Sequence, residues 1–286
     1  MSSDPALGTG ISRLHQIVVD WLKGGNCRFQ MNAIRILSED VACQIAAGEV
    51  VDRPASIVRE LVDNSLDAGA DRISIFMEGG GRKLIRVSDN GAGMGRDDLL
   101  LSIERHATSK IRSAEDLFSV ESLGFRGEAL PSIAAVSRMT ITSRLRGEIS
   151  GHRLFISGGR LDQVEEAGTT EGTIVEAKDL FFNLPARRKF LRAPRTEAGH
   201  VADTVIRMLP SFPNVFFRLQ EGDREVLSAP PSSDTVNRLV PLIGRNTAEA
   251  LLHSEEHFDA LTVKVFLAPG EFSRSRADRM FMYVNK

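Results

Sequence analysis

PASIVRELVDNSLDAG, residues Pro54 to Gly69, decides how the rest of the chain is read. Pro54 in a first turn gives up no hydrogen bond and Gly69 stands just past the end, so the spacing predicts a helix. At about 100° per residue, Ile57, Val58, Leu61, Val62 and Leu66 share one broad buried face. Glu60, Asn64 and Asp67 fall within an arc of roughly 60° at its margin, while Arg59 and Asp63 lie further round, toward water. On an isolated helix, three such polar residues would simply be a solvated edge. At the lip of a buried stripe they are costly unless something uses them. The functional reading is a carboxylate that handles a proton, Glu60, beside a neutral oxygen ligand one turn on, Asn64. That pair suits a magnesium ion shared with phosphates.

A polar cluster downstream favours the functional reading. RISIFME and KLIRVSD alternate apolar and polar residues and are joined by Gly79, Gly80 and Gly81, a hairpin pattern. The second strand runs into Asp89-Asn90-Gly91-Ala92-Gly93-Met94. A carboxylate at a strand end followed by two glycines leaves backbone free to approach a flat ligand, although DNG is also a frequent turn sequence. Arg96 occupies the place of the third glycine in a dinucleotide fingerprint, and no G-x-x-x-x-G-K-[ST] occurs, so a nucleotide here is held without a P-loop. DDLLLSIERH predicts a short helix. A polar connection then begins at Ala107-Thr108-Ser109-Lys110 and ends at Leu123-Gly124-Phe125-Arg126-Gly127-Glu128-Ala129-Leu130, leading into a helix over EALPSIAAV. A glycine-flanked loop entering a helix N-terminus is a ready anion site.

Strands are expected at Arg138–Ser143, His152–Ser157 and Thr173–Lys178, followed by a loop over Asp179–Arg195. That loop carries Arg187, Arg188, Lys189, Arg192 and Arg195. A charge run of this kind is usually a solvated face, but it is the most basic stretch in the chain and a candidate for phosphate-backbone contact. Glu197–Leu209 reads as a helix, and Pro210 with Pro213 marks a domain boundary. Beyond it, strands are expected at Val215–Gln220, Leu261–Leu267 and Met280–Val284, with a helix near Thr235–Leu242. Upstream, Ile34–Leu37 reads as a strand and SEDVACQIAAGEVV as a helix capped at Ser38 and ended at Gly48.

Composition excludes little. Hydrophobic content of 42%, 26% charged residues and a formal net charge of −2 over 286 residues describe an ordinary globular protein with room for more than one domain. Any contact with nucleic acid must come from a local patch. Cys27 and Cys43, without C-x-x-C spacing, point to neither a disulfide framework nor a zinc site and fit a reducing cytoplasm. No apolar run reaches membrane-span length, and the first thirty residues lack the h-region and cleavage site of a signal peptide. Residues 1–30 read either as a loose amphipathic helix or as an extension upstream of a natural start at Met31.

Together, QIAAGEVVDRPASIVRELVDNSLDAGA (Gln44–Ala70), DNGAGM (Asp89–Met94), RHATSKI (Arg105–Ile111), SLGFRGEAL (Ser122–Leu130) and LPARRKFLR (Leu184–Arg192) resemble the MutL family of DNA mismatch-repair proteins, within the GHKL group of ATPases. The glutamate–asparagine helix and the DNG turn are shared across that group; GFRGEAL and PARRKFL belong to the mismatch-repair branch.

The resemblance implies an α+β fold, the GHKL (Bergerat-type) α/β sandwich with helices on one face of a mixed sheet, over residues 31–209. The truncated start of a second, smaller, ribosomal-protein-like α/β domain would follow over 210–286. It implies ATP and Mg2+ as cofactors, with Glu60 as general base, Asn64 on the magnesium ion, and Asp89 accepting from the adenine amino group. Gly91, Gly93, Met94 and Thr173 would complete the adenine side. Thr108, Ser109, Lys110, Leu123, Gly124, Phe125, Arg126, Gly127 and Glu128 would form the lid and phosphate loop, with 104–127 mobile until nucleotide binds. Arg187, Arg188 and Arg192 are the DNA-binding candidates. Implied partners are single- or double-stranded DNA held weakly and salt-dependently, a mismatch-recognition protein, a downstream nuclease or helicase, and a second copy on ATP binding. The implied setting is the bacterial cytoplasm at the nucleoid. ATP-driven lid closure and dimerisation would make a clamp on DNA. The alternative is a nucleotide-gated binding module with little or no hydrolysis, since the family's γ-phosphate lysine lies beyond Lys286.

Overall fold

The computed structural model describes residues 47, 48, 50–107, 127–259, 261–272 and 280–284. All belong to the compact unit spanning 40–286. The expected strand at 34–37, the start of the helix at 38 and the extension at 1–30 lie outside the described residues. Residues 47, 48 and 50 are helical, and Val51 N–H donates to Ala47 O at 2.8 Å, so this helix runs past Gly48 rather than ending there.

Helix α1 spans Pro54–Asp67 with Pro54 in its first turn. Ile57, Val58, Leu61 and Val62 of the predicted face are at most 2% exposed, each contributing about 1.5–3 kcal/mol by burial, while Leu66 at its end is only half-buried. Asp63 departs from expectation. It is buried and lies within 3.7 Å of Arg59 on a helix along which α5 (Pro194–Met208) packs.

Eight strands form one mixed sheet in the order β5-β4-β3-β6-β2-β1-β7-β8. They are β1 Arg72–Glu78, β2 Leu84–Asp89, β3 Arg138–Arg144, β4 Gly151–Ser157, β5 Arg160–Ala167, β6 Gly172–Lys178, β7 Phe216–Glu221 and β8 Arg224–Ala229. Every pairing is antiparallel except β1 with β7. Helices α1, α2 (Arg96–Leu101), α3 (Ala129–Ala135) and α5 share one hydrophobic core with one face of this sheet. The opposite face is solvated, as antiparallel sheets permit. There Arg86 pairs with Glu176 at 2.6 Å and lies over the Phe76 ring, and Arg72 lies over Phe216.

The expected boundary at 209/210 falls inside this sheet. Beyond Leu209–Ser211, Phe216 N–H donates to Asp71 O at 2.8 Å and β7 adds to β1, so residues 216–229 extend the first layer pair. The loop expected over 179–195 contains a helix, α4 (Pro185–Phe190), opened by Pro185. The helix expected over DDLLLSIERH is shorter, since Ser102 Oγ donates back to Leu99 O at 2.7 Å just past its end.

After β8, α6 (Thr235–Ile243) is capped by Asp234, whose carboxylate accepts from Val236 N–H at 2.9 Å. A short helix α7 (Arg245–Glu249) and an exposed antiparallel pair, β9 Leu252–Phe258 and β10 Leu261–Leu267, follow. Met280–Val284 is not a strand. It has no ladder partner among the described residues; instead the Tyr283 hydroxyl donates to Arg207 O at 3.0 Å and Phe281 lies under the Arg207 guanidinium. No helix among the described residues is long and apolar enough to cross a membrane.

Candidate functional site

Three neighbouring strands carry matched rows of side chains toward the helices. Ile85, Ala177 and Met139 make one row, Val87, Val175 and Ile141 the next, all buried. In register, the third row is Asp89, Thr173 and Ser143. The core therefore ends in a polar row just where β2 gives way to the DNGAGM turn. A polar row at this depth must be hydrogen-bonded or be costly.

It is bonded throughout. Asp89 Oδ2 accepts from Ser65 Oγ of α1 at 2.8 Å, and Oδ1 accepts from Gly91 N–H at 2.9 Å and Thr173 N–H at 3.3 Å. Burial is the largest influence on Asp89 and raises its pKa above 3.8, against the opposing pull of those three donors. A carboxylate offers about four acceptor positions, so these three bonds leave Asp89 able to accept one more N–H. Ser143 Oγ in turn accepts from Met94 N–H at 2.9 Å and lies 2.9 Å from Thr173 Oγ1.

The turn itself is fixed to its surroundings. Asn90 Oδ1 accepts from Asp71 N–H and Arg72 N–H, Ala92 N–H donates to Ala68 O at the end of α1, and Arg146 N–H donates to Ala92 O. Gly93 has φ +71°, and a Cβ there would overlap the Arg144 carbonyl oxygen. The close approach that requires glycine at this position is thus to the protein's own backbone. Gly172 has φ +104° and lies so near the Asp89 carbonyl that β6 begins hard against the end of β2.

Glu60 and Asn64 sit half-buried, one turn apart on α1, with Ser65 following Asn64 directly. α1 thus carries the predicted acid–amide pair on its edge and, through Ser65, is tied to Asp89. The sequence reading does not single out Ser65 or Ser143. A signal for Ser65 is present: at 100° per residue it falls between Leu61 and Val58, in the middle of the apolar arc.

Thr108, Ser109, Lys110, Leu123, Gly124, Phe125 and Arg126 lie outside the described residues. The two residues flanking that segment meet: a Cβ on Gly127 would come within 2.5 Å of Ala107 O. His106 Nδ1 lies 3.6 Å from Glu128 Oε1, and Glu128 precedes α3.

The three arginines proposed for DNA differ in setting. Arg187 is half-buried with its guanidinium against Gly48, where any side chain would overlap it. Arg188 and Arg192 are exposed, beside Phe190 at 86% exposure. The Arg192 main chain is anchored, its N–H donating to the buried Glu197 at 2.8 Å.

Known proteins share this fold. A family model described as histidine kinase-, DNA gyrase B-, and HSP90-like ATPase matches residues 53–174, a range containing α1, the DNG turn and Thr173. The DNA mismatch repair protein MutL of Geobacter sulfurreducens is 47% identical over 88% of this chain and 41% of its own length. That of Acidobacterium capsulatum is 51% identical over 80% of this chain and 35% of its own length. The chain therefore spans about two fifths of the relatives it matches. Among solved structures, the Aquifex aeolicus MutL ATPase domain complexed with ADP superposes with a TM-score of 0.59 at 30% identity, covering 77% of this chain and 78% of that one. A second structure of the ATPase domain from Aquifex aeolicus MutL gives 0.57 at 27% identity, covering 77% and 74%. With a mixed sheet backed by helices on one face and a polar row closing its core, the chain belongs to the MutL family of DNA mismatch-repair proteins.

Proposed function

We infer that this chain is the ATP-binding and ATP-hydrolysing part of a mismatch-repair switch. The observation that carries the reading is the hydrogen bond from Ser65 to Asp89, which ties the base-recognising carboxylate to the helix bearing Glu60 and Asn64. In this reading Asp89 accepts from the adenine amino group, Thr173, Gly91, Gly93 and Met94 shape the base site, and Glu60 takes the proton of the attacking water. Phosphoryl transfer needs little more from a protein than positioning and charge stabilisation.

The donor set fits Mg2+. Among the described residues no group of three or more His, Cys, Asp and Glu could hold a metal ion by itself. Magnesium commonly takes one or two protein oxygens and completes its shell with water and phosphate, which matches Asn64 as a single neutral ligand. When bound, the ion would neutralise charge on the phosphates. The segment 104–127 would close over them, with Thr108, Ser109, Lys110, Leu123, Gly124, Phe125, Arg126, Gly127 and Glu128 in the lid. The differential contacts that a γ-phosphate makes with an ordered lid are what shift such an equilibrium toward a dimeric clamp on DNA. Exposed Arg188 and Arg192 are the groups of this chain offered to the phosphate backbone, with mismatch-recognition and downstream repair proteins as the further partners. The second α/β domain would begin after β8 rather than at 210.

Single-turnover ATP hydrolysis measured beside equilibrium binding tests the reading. Binding with hydrolysis supports the switch; binding without hydrolysis supports a nucleotide-gated module; absence of ATP binding contradicts both.

A further inference from the structure

The Ser143 hydroxyl is fully buried and has three neighbours: Met94 N at 2.9 Å, Gly172 O at 3.1 Å and Thr173 Oγ1 at 2.9 Å. A serine hydroxyl has one proton to give and two lone pairs to receive with. Met94 N–H can only donate and the Gly172 carbonyl can only accept. One arrangement alone makes all three bonds at once: Ser143 donates to Gly172 O and accepts from both Met94 N–H and the Thr173 hydroxyl. The reverse direction, Ser143 donating to Thr173, leaves two oxygens 3.1 Å apart at Gly172 with no proton between them.

That assignment directs the Thr173 proton inward. Thr173 Oγ1 is left with lone pairs only, on the strand next to Asp89, which is also an acceptor. The adenine site then presents two acceptors and no hydroxyl donor. With both acceptors turned to position 6 of the base, an amino group there is favoured and a carbonyl there is disfavoured.

We propose that Ser143 is a specificity-determining positioning residue: by taking the Thr173 proton it makes Thr173 an acceptor, so that the site discriminates amino- from oxo-purine nucleotides. The proposal rests on the ATP-site reading above. Without Ser143, the Thr173 hydroxyl is free to turn and donate to an oxo group, and discrimination falls.

The test is equilibrium binding of ATP and inosine triphosphate, each with Mg2+, to the purified chain. Inosine triphosphate replaces the 6-amino group by an oxo group and turns N1 from an acceptor into an N–H donor, while the ribose and triphosphate stay the same. The wild-type chain should prefer ATP by at least about 100-fold, and Ser143→Ala should narrow that preference about tenfold. A merely structural role would weaken both nucleotides equally, and an unchanged ratio overturns the proposal. Ser143→Cys, which fills a similar volume with a weak acceptor, gives the same narrowing if Ser143→Ala fails to fold. Thr173→Val removes the acceptor outright and must also narrow the ratio; if it does not, the proposal fails whatever the Ser143 variants do. Wild-type chain that binds no ATP would overturn the nucleotide reading itself, a result distinct from ATP binding with an unaltered ratio.

Discussion

Ser65 on α1 donates its hydroxyl proton to Asp89 at the end of β2, at 2.8 Å, so the position of the helix and the position of the carboxylate are set together. The Ser65 hydroxyl oxygen also lies 3.0 Å from Leu61 O, an acceptor that competes for the same single proton, and Ala70 N–H donates to Ser65 O at 3.1 Å. Replacing it with alanine leaves a buried carboxylate with one donor fewer. Ser65→Ala should cost about 1–3 kcal/mol of stability and weaken ATP binding more than tenfold, read by denaturant unfolding and calorimetry. Wild-type affinity in the variant would show that the bond plays no part in the site.

Glu60→Ala should bind ATP normally and hydrolyse it about 10²–10⁴ times more slowly in single turnover. Loss of binding first would remove Glu60 from the role of base. Asn64→Ala should lose the magnesium-dependent part of the affinity, and tight magnesium-dependent retention of ATP would count against its role as ligand.

Asp89 also predicts a pH dependence. Its folded pKa is raised by burial above the ordinary 3.8, so between those two values the folded state holds more protons than the unfolded state. The stability attributable to Asp89 therefore falls as pH rises through that window and reaches a constant penalty above it. Denaturant midpoints for wild type and Asp89→Asn, compared across mildly acidic pH, should differ by an amount that changes in that direction. A pH-independent difference would contradict the assigned shift.

Much of this site is legible in sequence. The apolar face of α1, the β1–β2 hairpin and the DNG turn follow from short-range spacing and stand where expected. What sequence does not show depends on partners far along the chain. Asp63 is buried on a helix that packs against α5, more than a hundred residues further on, and β7 joins β1 in a parallel pairing that no local pattern encodes. Edge strand β5, RLDQVEEA, is mostly exposed and lacks the alternation that marks a half-buried strand. Ser143 reads as one more polar residue at a strand end until the register sets it beside Thr173.

The basic stretch divides by the same logic. Arg188→Glu and Arg192→Glu should weaken DNA binding and flatten its salt dependence by about one unit of slope for each phosphate no longer neutralised. Arg187, packed on Gly48, should instead act through stability; a Cβ at Gly48 would meet only the end of that flexible side chain, so Gly48→Ala should move the guanidinium at little cost. An unchanged salt slope in the first pair would leave them as surface charges.

Arg238 is 2% exposed and donates to five main-chain carbonyls, those of Leu209, Phe212, Val215, Ala229 and Pro230. It lies over the Phe217 ring and so joins α6 to the β7–β8 edge. Arg238→Met should cost about 3 kcal/mol or more, because several buried acceptors lose their donor together. A change below about 1 kcal/mol in denaturant unfolding would mean that those carbonyls find other donors.

The proposed function stands on one claim, that the polar row closing the core would read a nucleotide base while the flank of α1 would meet the phosphates. A crystal structure of this chain with magnesium and a non-hydrolysable ATP analogue tests it most directly. The adenine amino group should lie within hydrogen-bonding distance of Asp89, with the triphosphate running toward Asn64 and Glu60; a base bound elsewhere, with Asp89 keeping only its three protein donors, would contradict the account.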